Sequence, residues 1–247
     1  MSLVAVCSGK GSPGATFVAL NLAAALARAG DETLLLDLDP SGGDQAAYLG
    51  LDPRRGLYPL MRMTDHAPGT EMLLREAEGR DGLLCVGGFP EAFAFEAEIL
   101  VELLRAATES GKVVIADIGR VAAETAWLAR AADLVLVTVR PDLVSVLGAE
   151  RALRILRAWC ASDRLRAVVS GMERRRPGDV KEIVDAIRTP LMGSIPLDRR
   201  SARRALIEQR PCAKGPAFRG FTSLATQVRE HLVALPTVTP KAEVANA

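Results

Sequence analysis

The 247-residue sequence has four cysteines, two histidines and five lysines, and its net charge is only +1. Cys7, Cys85, Cys160 and Cys212 lie far apart with no Cys-x-x-Cys pair. That spacing argues against a thiolate metal site or a disulfide framework, and buried reduced thiols are expected. His66 and His231 have no metal-ligand spacing and are expected on the surface. No uninterrupted apolar run reaches the roughly 18 residues of a membrane span. The N-terminus has no basic segment followed by a long apolar stretch, so a cytosolic protein is expected. No Pro/Gly/Ser-rich linker divides the chain before a frayed polar tail, Pro236 to Ala247. What remains is an ordinary globular composition, 49% apolar and 25% charged, long enough to bury a substantial core. One domain over 1–235 with a flexible tail over 236–247 is expected.

Ser2 to Arg28, SLVAVCSGKGSPGATFVALNLAAALAR, organises the rest. An apolar strand runs into a glycine-rich turn, and the turn opens directly into a helix. Main-chain N–H groups of such a turn and of the helix's first residues converge on one point, where the helix dipole favours an anion. Two motifs fit. Gly9-Lys10-Gly11-Ser12-Pro13-Gly14 matches the dinucleotide fingerprint G-x-G-x-x-G, with acidic Asp37 at the end of the next strand. Gly9 to Thr16 also matches G-x-x-x-x-G-K-[ST], except that Ala15 replaces the lysine. The stretch is a nucleotide-phosphate cradle on either reading.

The chain then alternates strand and helix. Helix 15–29 is followed by strand 33–37 and by the acidic loop Asp37 to Asp44. Short helical pieces separated by Pro53, Gly56, Pro59 and Pro68-Gly69 occupy 45–80. Strands are predicted at 83–86, 112–118, 133–139, 165–170 and 191–195, and helices at 96–109, 122–131, 143–159 and 179–188, with two more at the end. The near-continuous apolar strands KVVIADI and DLVLVTV are of the kind covered on both faces. Repeated β-α-β units indicate an α/β fold, one doubly wound, mainly parallel sheet with helices on both faces.

Ligands of such sheets lie at the C-terminal strand ends. The glycine loop, Asp37 and Asp39, Asp117, and the segment Ile195 to Asp198 all fall there. Asp117 reads either as a carboxylate holding a Mg²⁺ shell or as a strand-end turn cap. Three carboxylates near one phosphate loop suit a divalent cation better than a ribose alone.

These motifs, taken together and in order, resemble the MinD/ParA family of deviant-Walker-A P-loop ATPases. SGKGSPGAT resembles its K-G-G-x-G-K-[ST]-[ST] loop and LLLDLDPSGGD its D-x-D-P-Q-G-N switch. NLAAALARAG, VVIADIG, AADLVLVTVRPDLVSVLGAERAL and GSIPLD extend the likeness from Ser2 to about Leu235. The resemblance implies ATP with Mg²⁺ held between two subunits. It implies nucleotide contacts from Gly9, Lys10, Gly11, Ser12, Pro13, Gly14, Ala15, Thr16, Phe17 and Pro196. Lys10 is then the signature lysine acting on the partner's phosphates, and Asp39 orients the attacking water. Thr16, Asp37 and Asp117 form the metal and switch shell. The implied role is a nucleotide-switched positioning protein with a protein partner.

The departures have chemical consequences. Ala15 removes an ammonium from the β- and γ-phosphates, so hydrolysis is expected to be slow or absent. Pro13 offers no N–H. Phe17 and Ser41 stand where hydroxyl and glutamine residues are common, and Ser170 stands for an adenine-contacting asparagine. Loss of the P-loop lysine resembles the CpaE/TadZ branch, whose receiver-like domain is not in this sequence; a bare core is expected. Lone Cys212 does not fit iron–sulfur carriers. A polar tail with one lysine argues against a direct membrane anchor. Arg174–Arg176 and Arg199, Arg200, Arg203 and Arg204 offer cations for non-specific DNA, but at this net charge they read better as solvated faces. A nucleotide-free pseudo-ATPase scaffold and a Rossmann-type NAD(P) oxidoreductase are the alternatives.

Overall fold

The computed structural model describes residues 2–11, 14–62, 69–89, 97–123, 125–173 and 178–235. Ser12, Pro13, His66, Pro68, Arg174–Arg176 and the tail from Pro236 lie outside them, so the expectations placed on those residues do too. The first half runs β1 (Ser2–Ser8), α1 (Ala15–Arg28), β2 (Thr33–Asp37), α2 (Gln45–Leu49), α3 (Leu57–Arg62), α4 (Thr70–Glu76), β3 (Glu78–Arg80) and β4 (Leu83–Val86). It continues through α5 (Ala97–Glu109), β5 (Val113–Arg120), a 3₁₀ turn (Ala126–Arg130), β6 (Leu134–Val139) and α6 (Leu143–Leu156). β7 (Leu165–Met172), α7 (Gly178–Ile187), β8 (Leu191–Pro196), α8 (Arg199–Glu208) and α9 (Gly215–Ala234) complete it.

The described strands form one sheet in the order β3-β4-β2-β5-β1-β6-β7-β8, parallel except for β3 on the edge. Alternation along β1 divides the core. Leu3, Ala5 and Cys7 join a cluster under α3, α4, α5, α6 and α7. Val4 and Val6 point to the opposite face, where α1 and α9 cover them. Ten of the fourteen residues of α1 are buried, which its Ala/Leu/Val-rich sequence permits.

Order β2-β5-β1-β6 decides one alternative. In the Rossmann arrangement the first two strands are neighbours. Here β5 is inserted between β1 and β2, pairing Val4 with Ile115 on one side and Leu35 with Ile115 on the other. The chain leaves β1 toward β2 and leaves β5 toward β6, in opposite directions across the sheet. The C-terminal ends of β1 and β5 therefore flank the topological switch point, where a ligand crevice opens.

Several local expectations shift. The helix read over 122–131 is a single 3₁₀ turn, Ala126–Arg130. Pro59 lies inside α3 rather than between pieces, at its third residue, where no intrahelical N–H is required. β5 continues to Arg120, so Asp117 lies within the strand. Asp133 lies just before β6, where its Oδ2 accepts the Leu3 N–H at 2.9 Å. Helix α6 ends at Leu156, short of Trp159. Trp127 and Trp159 pack half-buried against the core, as their neighbours suggest. His231, expected on the surface, is half-buried, and its Nε2 is buried without a hydrogen-bond partner.

Candidate functional site

The glycine loop leaves β1 at Ser8, whose Oγ donates to Lys10 O at 2.9 Å. Gly9 passes directly under α6. A Cβ on Gly9 would fall 2.0 Å from the Gly148 carbonyl oxygen, so only glycine allows this approach. Gly14 re-enters with φ +90° as the N-cap of α1 and accepts the Val18 N–H at 2.8 Å. No side chain caps α1 at Gly14, so its first N–H groups point at the loop mouth. Of the expected phosphate cradle, Gly9, Lys10, Gly11, Gly14, Ala15, Thr16 and Phe17 are described.

The side chains divide into those facing the mouth and those turned away. Thr16 lies beside Asp117, and its side chain lowers the Asp117 carboxyl against the effect of burial. Ala15, only 6% exposed, has its methyl in the core under α1. Phe17 turns its ring toward α9, edge-on to Phe221 at 5.7 Å, which leaves only its main chain for a phosphate. Lys10 Nζ rests 3.5 Å from Asp142 Oδ1, the residue that caps α6 through the Ser145 N–H. Both side chains are part-exposed, and such a pair is worth about 0–1 kcal/mol, so the lysine can be drawn elsewhere. Ser170, at the end of β7, lies 3.6 Å from where a Gly14 Cβ would be. Pro196 ends β8, three strands from β1 and about 14 Å away at one strand spacing each.

The carboxylates occupy the other wall. Asp37 and Asp117 are register partners on β2 and β5, and both are buried. Asp37 Oδ2 accepts the Gln45 N–H at 2.9 Å and Oδ1 the Asp39 N–H at 3.4 Å. Gly43 and Gly88 press on it so closely that a Cβ on either would come within 2.5–2.8 Å of its carboxyl. Asp117 accepts the Gly119 N–H at 3.1 Å and the Gln45 carboxamide at 3.0 Å. Asp39 is half-exposed and folds onto its own loop, accepting the Ser41 N–H at 2.8 Å against Gly119. Burial, with Asp117 beside it, pushes Asp37 up to about 8. Burial likewise pushes Asp117 up to about 6.

Two buried carboxyls side by side, with no ion pair to either among the described residues, favour a nearby cation. The described residues form no cluster of three acidic, cysteine or histidine side chains able to cage one. Asp37, Asp39 and Asp117 are nonetheless near enough that, beside burial, Asp117 and Asp39 raise Asp37 and Asp39 raises Asp117, so the expected three carboxylates do gather at these strand ends. Asp37 and Asp117 each accept hydrogen bonds on both oxygens and Asp39 accepts from Ser41; Asp117, on the strand beside β1, is the one adjacent to Thr16. That donor set fits Mg²⁺, which dehydrates reluctantly and takes one or two protein oxygens plus phosphates rather than an all-protein cage.

Gln45 was not among the residues the sequence singled out. It is fully buried, and its carboxamide links Asp117 to the Thr16 carbonyl at 3.1 Å. The only available signal was a glutamine at the first turn of a short, otherwise apolar helix.

The glycine loop between a central strand and a buried helix, with a carboxylate on the adjacent strand across the switch point, defines a P-loop nucleotide-binding α/β protein. The sequence pattern of the CobQ/CobB/MinD/ParA nucleotide binding domain matches residues 4–211, and the chain belongs to that family. It is 27% identical over 202 residues to an uncharacterized ATP-binding protein of Methanocaldococcus jannaschii, covering 79% of this chain and 74% of that one. It is 26% identical over 209 residues to the septum site-determining protein MinD of Synechocystis, covering 80% and 77%. The MinC:MinD cell division protein complex of Aquifex aeolicus contains a chain of the same fold, with TM-score 0.78, 20% identity, and coverage of 97% and 99%.

Proposed function

We propose that this chain binds ATP with Mg²⁺ at the mouth formed by Gly9–Thr16, dimerises across the nucleotide and works as a nucleotide-switched positioning protein. The observation that carries the reading is Thr16 beside Asp117 at the uncapped N-terminal end of α1, across the β1/β5 switch point. The loop and helix N–H groups take the phosphates. Bound Mg²⁺ neutralises phosphate charge there. Thr16 and Asp117 hold its oxygen ligands, and Asp37 fixes the Asp39 loop that orients water. Lys10, released from Asp142, supplies its charge to the partner subunit's phosphates. Phe17 contributes main chain only, and Pro196 and Ser170 line the base side. The family, and the name of the Methanocaldococcus relative, support ATP over NAD. MinD in a complex with MinC supports a protein partner. Among the described residues no helix is long and apolar enough to cross a membrane. A cytoplasmic location, one domain over 1–235 with a free tail, and no favoured role for DNA or a direct membrane anchor complete the proposal.

Hydrolysis is slow, because Ala15 supplies a buried methyl where this family has an ammonium. The same observation favours a second reading, a pseudo-ATPase scaffold of the CpaE/TadZ kind with a vestigial cleft. Calorimetric titration with ATP, ADP and NAD, with molecular mass followed in parallel, separates them. ATP binding that converts monomer to dimer supports the proposal. A fixed oligomer that binds no nucleotide overturns it in favour of the scaffold, and NAD binding overturns both. Restoring the ammonium by Ala15→Lys is expected to raise turnover by about tenfold or more.

A further inference from the structure

Gln45 is fully buried at the start of α2, and it touches all three walls of the site. Its main-chain N–H goes to Asp37 on β2. Its Nε2 goes to Asp117 on β5 at 3.0 Å and to the Thr16 carbonyl in the first turn of α1 at 3.1 Å. Both partners of Nε2 are acceptors, so the carboxamide has only one favourable orientation. Turning it over would set Oε1 against a carboxylate and a carbonyl. In the favoured orientation Oε1 is buried and accepts no hydrogen bond. A buried carbonyl oxygen without a donor is costly, of the order of 1–3 kcal/mol, and rare in folded proteins. An oxygen left open beside Asp117 and Thr16, the two groups that fit a hydrated cation, is accounted for by a donor that arrives with the ligand.

We propose that Gln45 is a positioning residue for the divalent cation of the nucleotide site: its Nε2 holds Asp117 and α1 together, and its Oε1 accepts a hydrogen bond from cation-bound water. Mg²⁺ keeps several waters when it binds through few protein oxygens, so such donors enter the site with it. Gln45 then joins the cation to the loop that carries Asp39, since its own N–H is fixed on Asp37 and Asp37 in turn receives the Asp39 N–H. This rests on the triphosphate reading of residues 9–16.

The test compares ATP affinity in excess Mg²⁺ with ATP affinity in EDTA, by calorimetry on the full chain. For Gln45→Met, which keeps the volume and removes both polar atoms, the magnesium gain is expected to fall by about tenfold, the size typical of lost outer-shell partners. Its magnesium-free affinity is expected to stay within about twofold of wild type; a merely structural role would lower both affinities together. Gln45→Asn keeps the amide but withdraws it by one methylene, and it too is expected to lower the magnesium gain, which supplies a second reading if the methionine variant does not fold. A methionine or asparagine variant with the wild-type magnesium gain overturns the role of Gln45 while leaving the ATP site intact. Wild-type protein that binds ATP in neither condition overturns both this inference and the site reading beneath it.

Discussion

Asp37 illustrates how a residue type can be read from sequence while its packing cannot. The sequence offers a carboxylate at the end of an apolar strand, which suits a metal, a ribose or a turn equally well. The fold adds crowding: Gly43 and Gly88 close on the carboxyl, and two loop N–H groups reach its oxygens. Gly43 belongs to the same DLDPSGGD loop, but Gly88 arrives from the end of β4, beyond the reach of a local motif. Gln45 was illegible for the same reason, because its partners lie 29 and 72 residues away. The burial of Asp37 has a consequence for stability. Its folded value, about 8, lies above the ordinary 3.8, so between those values the folded protein holds a proton that the unfolded chain releases. Stability of the magnesium-free protein is therefore greatest below about pH 4 with respect to this group and is lost as pH rises through about 8. Asp37→Asn, neutral throughout, is expected to reduce the loss between pH 5 and pH 8 by about 1 kcal/mol or more, measured by urea unfolding in EDTA. An unchanged pH slope would show that Asp37 stays ionised in the folded protein.

Among the elements, β1, α1 and the long apolar strands were legible because their patterns are set locally: uniform burial on both faces writes an uninterrupted Val/Leu/Ile run. β3 was not legible. Its three residues, Glu78–Arg80, carry no alternation and pair antiparallel on the sheet edge only because the chain turns back there. The 3₁₀ turn at Ala126–Arg130 was overread for the opposite reason, since an alanine-rich run favours helix wherever the fold leaves room. Helix α6 has a different asymmetry. Toward its far end Ala152, Leu153 and Leu156 are buried, whereas Leu143, Val144 and Leu147 at its start are 73%, 59% and 46% exposed, beside the Asp142 that holds Lys10. Under the proposed dimer, these side chains meet the partner when Lys10 does. The double variant Leu143→Glu, Leu147→Glu is expected to weaken ATP-dependent dimerisation by about tenfold or more in light scattering, while its unfolding free energy stays within about 0.5 kcal/mol of wild type per site. Dimerisation at wild-type strength would place the interface elsewhere.

At the scale of the molecule, fold and family were legible from the ordered run of motifs, and the site only in outline. The order of strands could not be read from local pattern, yet it brings Thr16 from α1 to Asp117 from β5, 101 residues apart in sequence by their own numbers. The central claim is that main-chain N–H groups, Thr16 and the Asp117 wall grip a triphosphate although the loop has Ala15 in place of lysine. The most direct measurement is a crystal structure of the protein grown with excess ATP and magnesium. The account predicts a triphosphate in the mouth between Gly9 and Thr16, with the cation on the Thr16 side. A mouth that holds no phosphate under those conditions, or one filled by the protein's own side chains, would contradict it.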